Sequence, residues 1–265
     1  ILLQIPNGDE GWLVGTEHNI EWESRGDLEQ VKLEYSKDHF IKDIHTIIAS
    51  ASNLKAYAWK IPDDIAIQVW VRVSDARRPQ AHDMSDTPFR IHGDFDLLRP
   101  LSGEQFEVGT QAAIEWKTLG TVPEVRLTYS RDDFNKDERV ISEKVPNTGQ
   151  FVWTVPDDIG VQYGLKISDV HDPKSQHIAE GRFSIIGKFR LTYPQGAETL
   201  IPGTEQKVTW KGAGSIPFVR IDYSEDDFTK SYITLAQNAP NGGSFEWKIP
   251  NRVGQSFKLR IWDPS

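Results

Sequence analysis

The stretch VKLEYSKDHF at residues 31–40 decides the fold, because it occurs again as VRLTYSRDDF at residues 125–134 and as VRIDYSEDDF at residues 219–228. Apolar and polar side chains alternate at its start, which is the period of two expected for a β-strand with one buried face. An aspartate follows the Tyr-Ser pair two residues later, where its carboxylate can accept backbone N–H groups of a turn. The stretch therefore predicts a strand that ends in a polar loop, and its recurrence predicts a repeated domain.

The three copies are 94 residues apart, and they stay in register without a net insertion or deletion. Such a tandem repeat indicates consecutive domains of one fold. The recurring residues include Pro6, Pro100 and Pro194; Gly15, Gly109 and Gly203; Trp22, Trp116 and Trp210; and Trp59, Trp153 and Trp247. The tryptophans, together with Tyr35 and its counterparts, are predicted to form the core of each copy.

Each copy has the pattern of about seven short strands, and no stretch favours an amphipathic helix. In the first copy the strands fall near residues 1–5, 18–24, 30–36, 43–49, 56–61, 67–74 and 87–92. This pattern predicts an all-β protein of three tandem Ig-like antiparallel β-sandwich domains, at residues 1–93, 94–187 and 188–265. Because the links between them are short, we expect an elongated, semi-rigid arrangement.

The third copy is expected to lack its last strand, because the counterpart of Phe183 would be residue 277 in a chain of 265 residues. Either the strand follows in a longer protein, or another chain supplies it by strand addition. The two ends of the chain, Ile1 and the stretch from Trp262 to Ser265, suggest a segment cut from something longer.

The composition excludes several classes of function. The chain has no cysteine, which removes disulfide frameworks, thiol catalysis and cysteine-ligated zinc. Its formal net charge is -9 and it has no run of basic residues, whereas nucleic-acid-binding proteins carry basic patches. No stretch approaches the roughly 18 consecutive apolar residues of a membrane-spanning helix. We therefore expect no nucleic-acid partner and no direct membrane insertion.

The opening of each copy follows one pattern, in which a proline is followed by a Gly-Thr pair and then by an apolar-x-Trp segment. In the first copy these are Pro6, Gly15-Thr16 and Ile20-Glu-Trp22. Together with the later Tyr-Ser-x-Asp and Trp-x-x-Pro segments, the pattern resembles the Ig-like or fibronectin-III-like repeats of large exported bacterial proteins. It is also similar to the module of fungal Ser/Thr-rich GPI-anchored wall proteins. The resemblance spans all three copies and implies a cell-surface, envelope or secreted location.

The polar residues that recur in all three copies lie beside predicted turns, and no histidine recurs among them. Turn formation and capping explain them without catalysis. A site confined to one copy is the alternative, since His171-Asp172 and His177 lie in one loop of the second copy with Asp169 nearby, and could hold a metal or serve a hydrolase. Their spacing matches no tight metal site. The sequence therefore predicts a protein that is not an enzyme.

Pairs of aspartates could offer carboxylate oxygens to calcium. The pairs are Asp63-Asp64, Asp132-Asp133, Asp157-Asp158 and Asp226-Asp227. They lack the dense Asp-x-Asp-x-Asp run of a calcium loop, and the third copy has Asn251 in the position of Asp63. The sequence thus predicts no cofactor, and calcium stays the alternative.

Trp70 is the candidate contact residue. It lies between Val69 and Val71, which alternation places in the core, so its side chain is predicted to point outward and to contact a ligand or a partner. The second and third copies have Gly164 and Lys258 at this position. The alternative is that Trp70 lies under a loop of its own domain.

The function that fits these features is a non-catalytic structural or adhesive spacer, or an interaction segment, of a larger cell-surface, envelope or secreted protein. Its partners would be proteins, including further copies of itself, and cell-wall or surface polysaccharide. The alternative is a carbohydrate-binding accessory module of an extracellular enzyme, which an outward strip of aromatic rings would favour. Both functions imply an extracytoplasmic location.

Overall fold

The computed structural model describes residues 1–251, 253–254 and 256–264 of the chain. All the secondary-structure elements of these described residues are β-strands, which confirms the all-β class predicted from period-two alternation. Residues 252, 255 and 265, the last of which ends the predicted third domain, lie outside the described residues. Within the described part of the chain, no helix is long and apolar enough to cross a membrane.

The first repeat contains nine strands in two sheets. One sheet is ordered β1-β3-β6 and the other β2-β9-β7-β4-β5, with β8 paired to β7. The strands are β1 (Leu2–Ile5), β2 (Gly11–Leu13), β3 (Glu17–Glu23), β4 (Gln30–Ser36), β5 (His45–Ser52), β6 (Ala56–Lys60), β7 (Ala66–Asp75), β8 (His82–Met84) and β9 (Phe89–His92). The two sheets pack face to face around one core.

Aromatic and branched side chains from both sheets fill this core. Ile20, Trp22 and Trp59 come from the first sheet, and Leu33 and Val71 come from the second. Trp22 is only 1% exposed. Because alternate residues of a strand point to opposite faces, the period-two pattern of the sequence delivers one apolar face per sheet to this core.

The second repeat has the same order of strands as the first. Its sheets are β10-β12-β15 and β11-β18-β16-β13-β14, with β17 paired to β16. The strands are β10 (Asp94–Arg99), β11 (Gln105–Glu107), β12 (Gln111–Leu119), β13 (Glu124–Ser130), β14 (Arg139–Pro146), β15 (Gln150–Thr154), β16 (Gly160–Asp169), β17 (Gln176–Ile178) and β18 (Phe183–Ile186).

In the third repeat the described residues form sheets ordered β19-β20-β23 and β22-β21-β24. The strands are β19 (Lys188–Tyr193), β20 (Glu205–Ala213), β21 (Phe218–Ser224), β22 (Ile233–Pro240), β23 (Ser244–Lys248) and β24 (Lys258–Trp262). Trp210 and Trp247 of one sheet share a core with Ile221 and Tyr223 of the other. Each described sheet lies within one 94-residue repeat, and the protein is a multi-domain β-sandwich.

By its contacts the chain forms two compact units. One consists of residues 1–99, 114–151 and 165–179, and the other consists of residues 100–113, 152–164 and 180–265. The second repeat supplies residues to both units. The predicted domain boundaries after residues 93 and 187 therefore stay a prediction.

Each repeat pairs the indole N–H of the first of its two recurring tryptophans with an asparagine. Trp22 Nε1 donates to Asn53 Oδ1 at 2.8 Å, and Asn53 Nδ2 donates to the carbonyl of Leu28 at 2.9 Å. The same two bonds join Trp116, Asn147 and Val122, and they join Trp210, Asn241 and Ile216. A buried indole N–H needs an acceptor, so the asparagine links the core tryptophan to the segment that leads into the next sheet.

The sequence does not predict the three-residue strands β2 and β8, or their counterparts β11 and β17. Alternation cannot be recognised over three residues, and these strands form because each completes the edge of a sheet. The strands β2 and β11 also run parallel to their partners β9 and β18, whereas the expectation was antiparallel pairing throughout.

Candidate functional site at the junctions between repeats

The loop that follows β4 is held by hydrogen bonds to Ser36 and Asp38. Ser36 Oγ accepts the N–H of Phe40 at 2.7 Å, and Asp38 Oδ2 accepts the N–H groups of Lys42 and Asp43 at 2.9 and 3.0 Å. Burial by itself raises the pKa of Asp38, but the hydrogen bonds that it accepts lower this pKa below its ordinary value. Equivalent bonds surround Ser130 and Asp132, and Ser224 and Asp226. The predicted turn role of these residues is confirmed.

The same loop places an aromatic ring against a cation in all three repeats. Phe40 has a positive φ of 62°, and the guanidinium of Arg72 lies 4.2 Å from the centre of its ring. The equivalent pairs are Lys166 with Phe134 at 4.5 Å and Arg260 with Phe228 at 4.4 Å. The sequence contained a signal for these pairs, because a basic residue recurs at the position of Arg72 in all three repeats. Only the structure shows that this residue contacts the phenylalanine. Each such pair contributes about 0.5–1 kcal/mol at an exposed site.

Trp70 lies on β7 opposite Ser36 of β4 and is half-buried. Its ring meets the ring of His39 edge to face, with 5.2 Å between the ring centres. Since His39 belongs to the loop after β4, the structure places Trp70 beside a loop of its own repeat. Its predicted contact with a ligand or partner stays a prediction.

The histidines of the second repeat lie at different points around β16. The N–H of His171 donates to Asp169 Oδ1 at 2.8 Å, and its imidazole lies 3.5 Å from the carboxylate of Glu124. His177 lies on β17, opposite Ile167. Among the described residues, no group of three or more His, Asp or Glu side chains is placed to hold a metal ion.

The paired aspartates have protein partners, and Asp63 connects the first repeat to the second. Asp63 Oδ1 accepts the N–H of Thr121 at 2.8 Å, and Asp63 Oδ2 accepts the hydroxyl of Thr121 at 2.6 Å. Its neighbour Asp64 accepts the hydroxyl of Tyr35 at 3.0 Å and the ammonium of Lys37 at 2.6 Å. The carboxylate of Asp63 therefore receives two hydrogen bonds from one residue of the next repeat.

The contact between the second and third repeats has the same form. Asp157 Oδ1 accepts the N–H of Ser215 at 2.8 Å, and Asp157 Oδ2 accepts its hydroxyl at 2.5 Å. These two hydrogen bonds lower the pKa of Asp157 below its ordinary value. Both partners lie 94 residues after Asp63 and Thr121. We call the Asp63–Thr121 and Asp157–Ser215 contacts the junction bonds.

Glycine and apolar side chains surround the junction bonds. A Cβ atom on Gly120, which has a φ of 86°, would lie 3.1 Å from Ile65 Cδ1 and 3.3 Å from Val14 Cγ2. A Cβ atom on Gly93 would lie 2.9 Å from Val122 Cγ2 and 2.6 Å from the carbonyl of Leu119. Gly214 and Gly187 are enclosed in the same way by Val108, Ile159 and Ile216. Glycine is needed where the backbone of one repeat meets side chains of the other.

Further polar contacts strengthen the first junction. Arg90 Nη1 donates to Asp172 Oδ2 at 2.5 Å, and the Asp172 residue is only 5% exposed. The hydroxyl of Ser175 donates to the carbonyl of Gly93 at 2.8 Å. In the first repeat itself, the position of Thr121 and Ser215 is occupied by Asp27, which is exposed. The surface that receives an aspartate in repeats two and three therefore carries an acid in repeat one.

A buried carboxylate lies on β21 of the third repeat. Asp222 is 0% exposed and accepts hydrogen bonds from four side chains at 2.8–2.9 Å: Arg220, Arg260, Thr234 and Trp262. Burial alone would raise its pKa, but these hydrogen bonds outweigh burial and lower the pKa of Asp222 to about 2. In the first repeat Glu34 holds the equivalent position between Lys32 and Arg72.

One comparison with known proteins finds a match to the sequence of the second repeat. Residues 99–185 match the Kre9/KNH-like N-terminal Ig-like domain. The Kre9/KNH-like match covers most of the predicted second domain, and it confirms the resemblance to Ig-like repeats and to the module of fungal wall proteins. No curated protein sequence matches the chain.

Three solved structures illustrate the folds to which the chain is similar. The fibronectin(III)-like modules of Clostridium thermocellum CbhA are 12% identical, with 69% of this chain and 92% of that chain covered and a TM-score of 0.27. The titin fragment I67-I69 is 13% identical, with 96% and 90% covered and a TM-score of 0.31. The four N-terminal Ig domains of Dscam1 isoform 9.44 are 11% identical, with 91% and 64% covered and a TM-score of 0.29.

Proposed function

We propose that the chain is a non-catalytic spacer and interaction segment of a larger cell-surface, envelope or secreted protein, and that its junction bonds fix the orientation of each repeat on the next. The observation that carries this proposal is the recurrence of one junction, with its aspartate, hydroxyl residue and glycines, at an interval of 94 residues. Catalysis would need a constellation of reactive groups, whereas the recurring polar groups here bond to backbone and to neighbouring repeats.

The location and the partners are part of the same proposal. The Kre9/KNH-like match to residues 99–185 supports an extracytoplasmic setting, because the fungal wall-protein module is found there. Ig-like domains are generally non-catalytic and generally serve protein–protein contact or adhesion. Protein partners, further copies of the chain and surface polysaccharide are the partners that we propose, with no cofactor.

Replacing Asp63 and Asp157 together with alanine is expected to loosen the repeats without unfolding them. Each substitution removes two hydrogen bonds of an exposed carboxylate, so the free energy of unfolding should fall by no more than about 1 kcal/mol per site. Distances between spin labels at positions 42, 136 and 230, one in each repeat, should however spread over a range about twice as wide, because domains without a fixed interface move relative to each other. Since the chain has no cysteine, the labels will react only with cysteines that are introduced at these three positions.

The matched control is Asp96→Ala, which removes an exposed carboxylate on β10 of the second repeat. This variant should keep the label distances of the parent chain. If the double variant keeps them as well, the junction bonds do not set the orientation and the proposal of a fixed spacer is wrong.

Exposed aromatic rings favour carbohydrate binding as a second candidate function. Trp70 is half-buried, while Tyr232 and Trp262 are 50% and 38% exposed in the third repeat. Sugar rings bind to exposed aromatic faces by stacking and apolar burial. If Trp70 is such a contact, Trp70→Ala should weaken binding to a positive polysaccharide on a glycan array by about tenfold, and Trp262→Ala tests the third repeat in parallel. An array on which the parent chain binds no glycan would reject this candidate.

A further inference from the structure

The asparagine that binds the core tryptophan is followed by a different residue in each repeat. The first repeat has Asn53-Leu54 and the second has Asn147-Thr148, whereas the third has Asn241-Gly242. An asparagine before glycine is especially susceptible to spontaneous cyclisation, because glycine has no Cβ atom to hinder the approach of its backbone nitrogen to the asparagine side chain. The third repeat therefore carries a reactive dipeptide at the position that binds its core tryptophan.

The reaction of this dipeptide is an intramolecular acyl transfer. The backbone nitrogen of Gly242 loses its proton and attacks Cγ of Asn241, and the side-chain amide leaves as ammonia, so that a succinimide ring closes. Water then attacks one of the two carbonyl carbons of the ring. Opening at one carbon gives aspartate, and opening at the other gives isoaspartate, whose β-carbon lies in the main chain. Because the first step is intramolecular, its rate depends on how often the two atoms reach a reactive geometry.

In the folded third repeat, hydrogen bonds engage both reacting groups. Asn241 Oδ1 accepts the indole N–H of Trp210 at 2.7 Å, and Asn241 Nδ2 donates to the carbonyl of Ile216 at 2.8 Å. The N–H of Gly242, whose nitrogen is the nucleophile, donates to the carbonyl of Pro240 at 2.8 Å. Ring closure turns the side-chain amide and removes the Gly242 proton, so it requires the loss of all three hydrogen bonds.

The backbone on both sides of the reacting bond is fixed as well. The N–H of Asn241 donates to the carbonyl of Pro217 at 2.9 Å, and the carbonyl of Gly243 accepts the N–H of Trp210 at 3.0 Å. Trp210 is only 4% exposed and belongs to the core of the third repeat. Because these bonds join the dipeptide to the core, it is released when the third repeat opens. The rate of cyclisation should therefore follow the population of the open form.

The product cannot restore the hydrogen bonds that Asn241 makes. An aspartate carboxylate still accepts the indole N–H of Trp210, but it has no hydrogen to donate to the carbonyl of Ile216. Its negative charge also lies beside that carbonyl oxygen. Isoaspartate in addition lengthens the main chain by one carbon atom, which displaces the backbone bonds on either side. The modified repeat is therefore less stable than the parent repeat.

We propose that Asn241 is a site of spontaneous deamidation that becomes reactive when the third repeat unfolds, and that its modification prevents this repeat from regaining its parent stability. The first and second repeats share the tryptophan–asparagine pair, but the side chains of Leu54 and Thr148 hinder the cyclisation there. Unfolding of the third repeat thus leaves a covalent change at the pair that links its core tryptophan to the next sheet, whereas the other two repeats keep this pair intact.

Incubation of the whole chain at mildly alkaline pH, with and without urea that unfolds all three repeats, tests the site. Proteolysis and mass spectrometry of residues 231–248 then measure the conversion of Asn241. We expect this conversion to be at least about tenfold faster in urea than without it. In the same urea, Asn53 and Asn147 should convert at least about tenfold more slowly than Asn241. Asn7-Gly8, which is the other Asn-Gly dipeptide of the sequence, should convert at a rate comparable to that of Asn241.

The variant Gly242→Thr, which introduces the residue of the second repeat, is the matched test. Gly242 has no positive φ, and a Cβ atom there would meet no other atom within 4 Å, so the variant should fold like the parent. It should slow the conversion of Asn241 in urea by at least about tenfold. After the urea is removed, hydrogen exchange at Val219 and Ile221 should return to its original rate in this variant. In parent chains that carry a modified Asn241, this exchange should stay at least about tenfold faster.

Three results would each overturn the proposal. The first is conversion of Asn241 at the same rate with and without urea, because the fold would then not control the reaction. The second is a Gly242→Thr variant that converts as fast as the parent. The third is a modified chain whose third repeat regains the exchange rates of the parent, because the modification would then leave its stability unchanged.

Discussion

Replacing Asp222 with alanine is expected to lower the free energy of unfolding of the third repeat by about 2–4 kcal/mol. The substitution leaves the guanidinium groups of Arg220 and Arg260 without their shared carboxylate, together with the indole N–H of Trp262. The loss falls short of that for a fully enclosed pair because both arginines retain some access to water. Urea denaturation, followed by hydrogen exchange at Val219 and Ile221 in the core of this repeat, measures the loss.

The same carboxylate should make the stability of the protein depend on pH. The pKa of Asp222 is lowered in the folded protein, to about 2 from an ordinary value near 3.8. The unfolded chain therefore binds a proton first as the pH falls, so the stabilisation is complete above about pH 4 and is lost as the pH falls toward 2. Its magnitude is about 2 kcal/mol. The variant Asp222→Asn should lack this part of the pH dependence.

Glu246→Gln is the control for both measurements, because its carboxylate is exposed and lies 3.7 Å from the ammonium of Lys207. An exposed ion pair of this kind contributes about 0–1 kcal/mol. If Asp222→Ala changes stability no more than Glu246→Gln does, the buried cluster does not stabilise the third repeat.

Replacing Asn53 with alanine is expected to destabilise the first repeat by about 2–3 kcal/mol. The indole N–H of Trp22 loses its acceptor, and the carbonyl of Leu28 and the hydroxyl of Ser24 lose a donor. Because Trp22 is almost completely buried, its N–H cannot turn to water instead. Chemical denaturation of the whole chain, read by tryptophan fluorescence and by hydrogen exchange in the first repeat, measures the effect.

One further variant separates the acceptor from the donor, and another is the control. Asn53→Asp keeps an oxygen for the indole and loses the amide donor, so its stability should lie between that of the parent and that of Asn53→Ala. Asn19→Ala is the matched control, since Asn19 is exposed on β3 of the same repeat, and it should change stability by less than about 0.5 kcal/mol. A loss for Asn53→Ala as small as that of the control would contradict the role given to the asparagine.

The sequence was sufficient to predict the fold class because the signals it carries are local and repeated. Val31, Leu33 and Tyr35 alternate over one strand, and this alternation alone states which side chains enter the core. Ser36 and Asp38 follow at the strand end, and their bonds reach no further than the loop after them. Because each signal occurs in three copies, the residues that recur can be distinguished from those that vary between the repeats.

The junctions could not be predicted, because their parts are distant in sequence. Asp63 was interpreted as a candidate oxygen donor to calcium, whereas in the structure its carboxylate receives both hydrogen bonds of Thr121, 58 positions later. The recurrence of a hydroxyl residue at Thr121 and Ser215 was a usable signal. It gains meaning only when the turn at Gly120 is known to face the preceding repeat.

Asp27 has a consequence for how these repeats can be reordered. Suppose that a genetic rearrangement placed another repeat, with an aspartate at the position equivalent to Asp63, ahead of the first repeat. The carboxylate of that aspartate would then face Asp27, at the position where Thr121 and Ser215 donate a hydroxyl in the other repeats. Like charges at that distance repel, so such a shuffled protein would not form the same joint. The three repeats share one architecture, yet they are not interchangeable, and a single side chain determines part of their order.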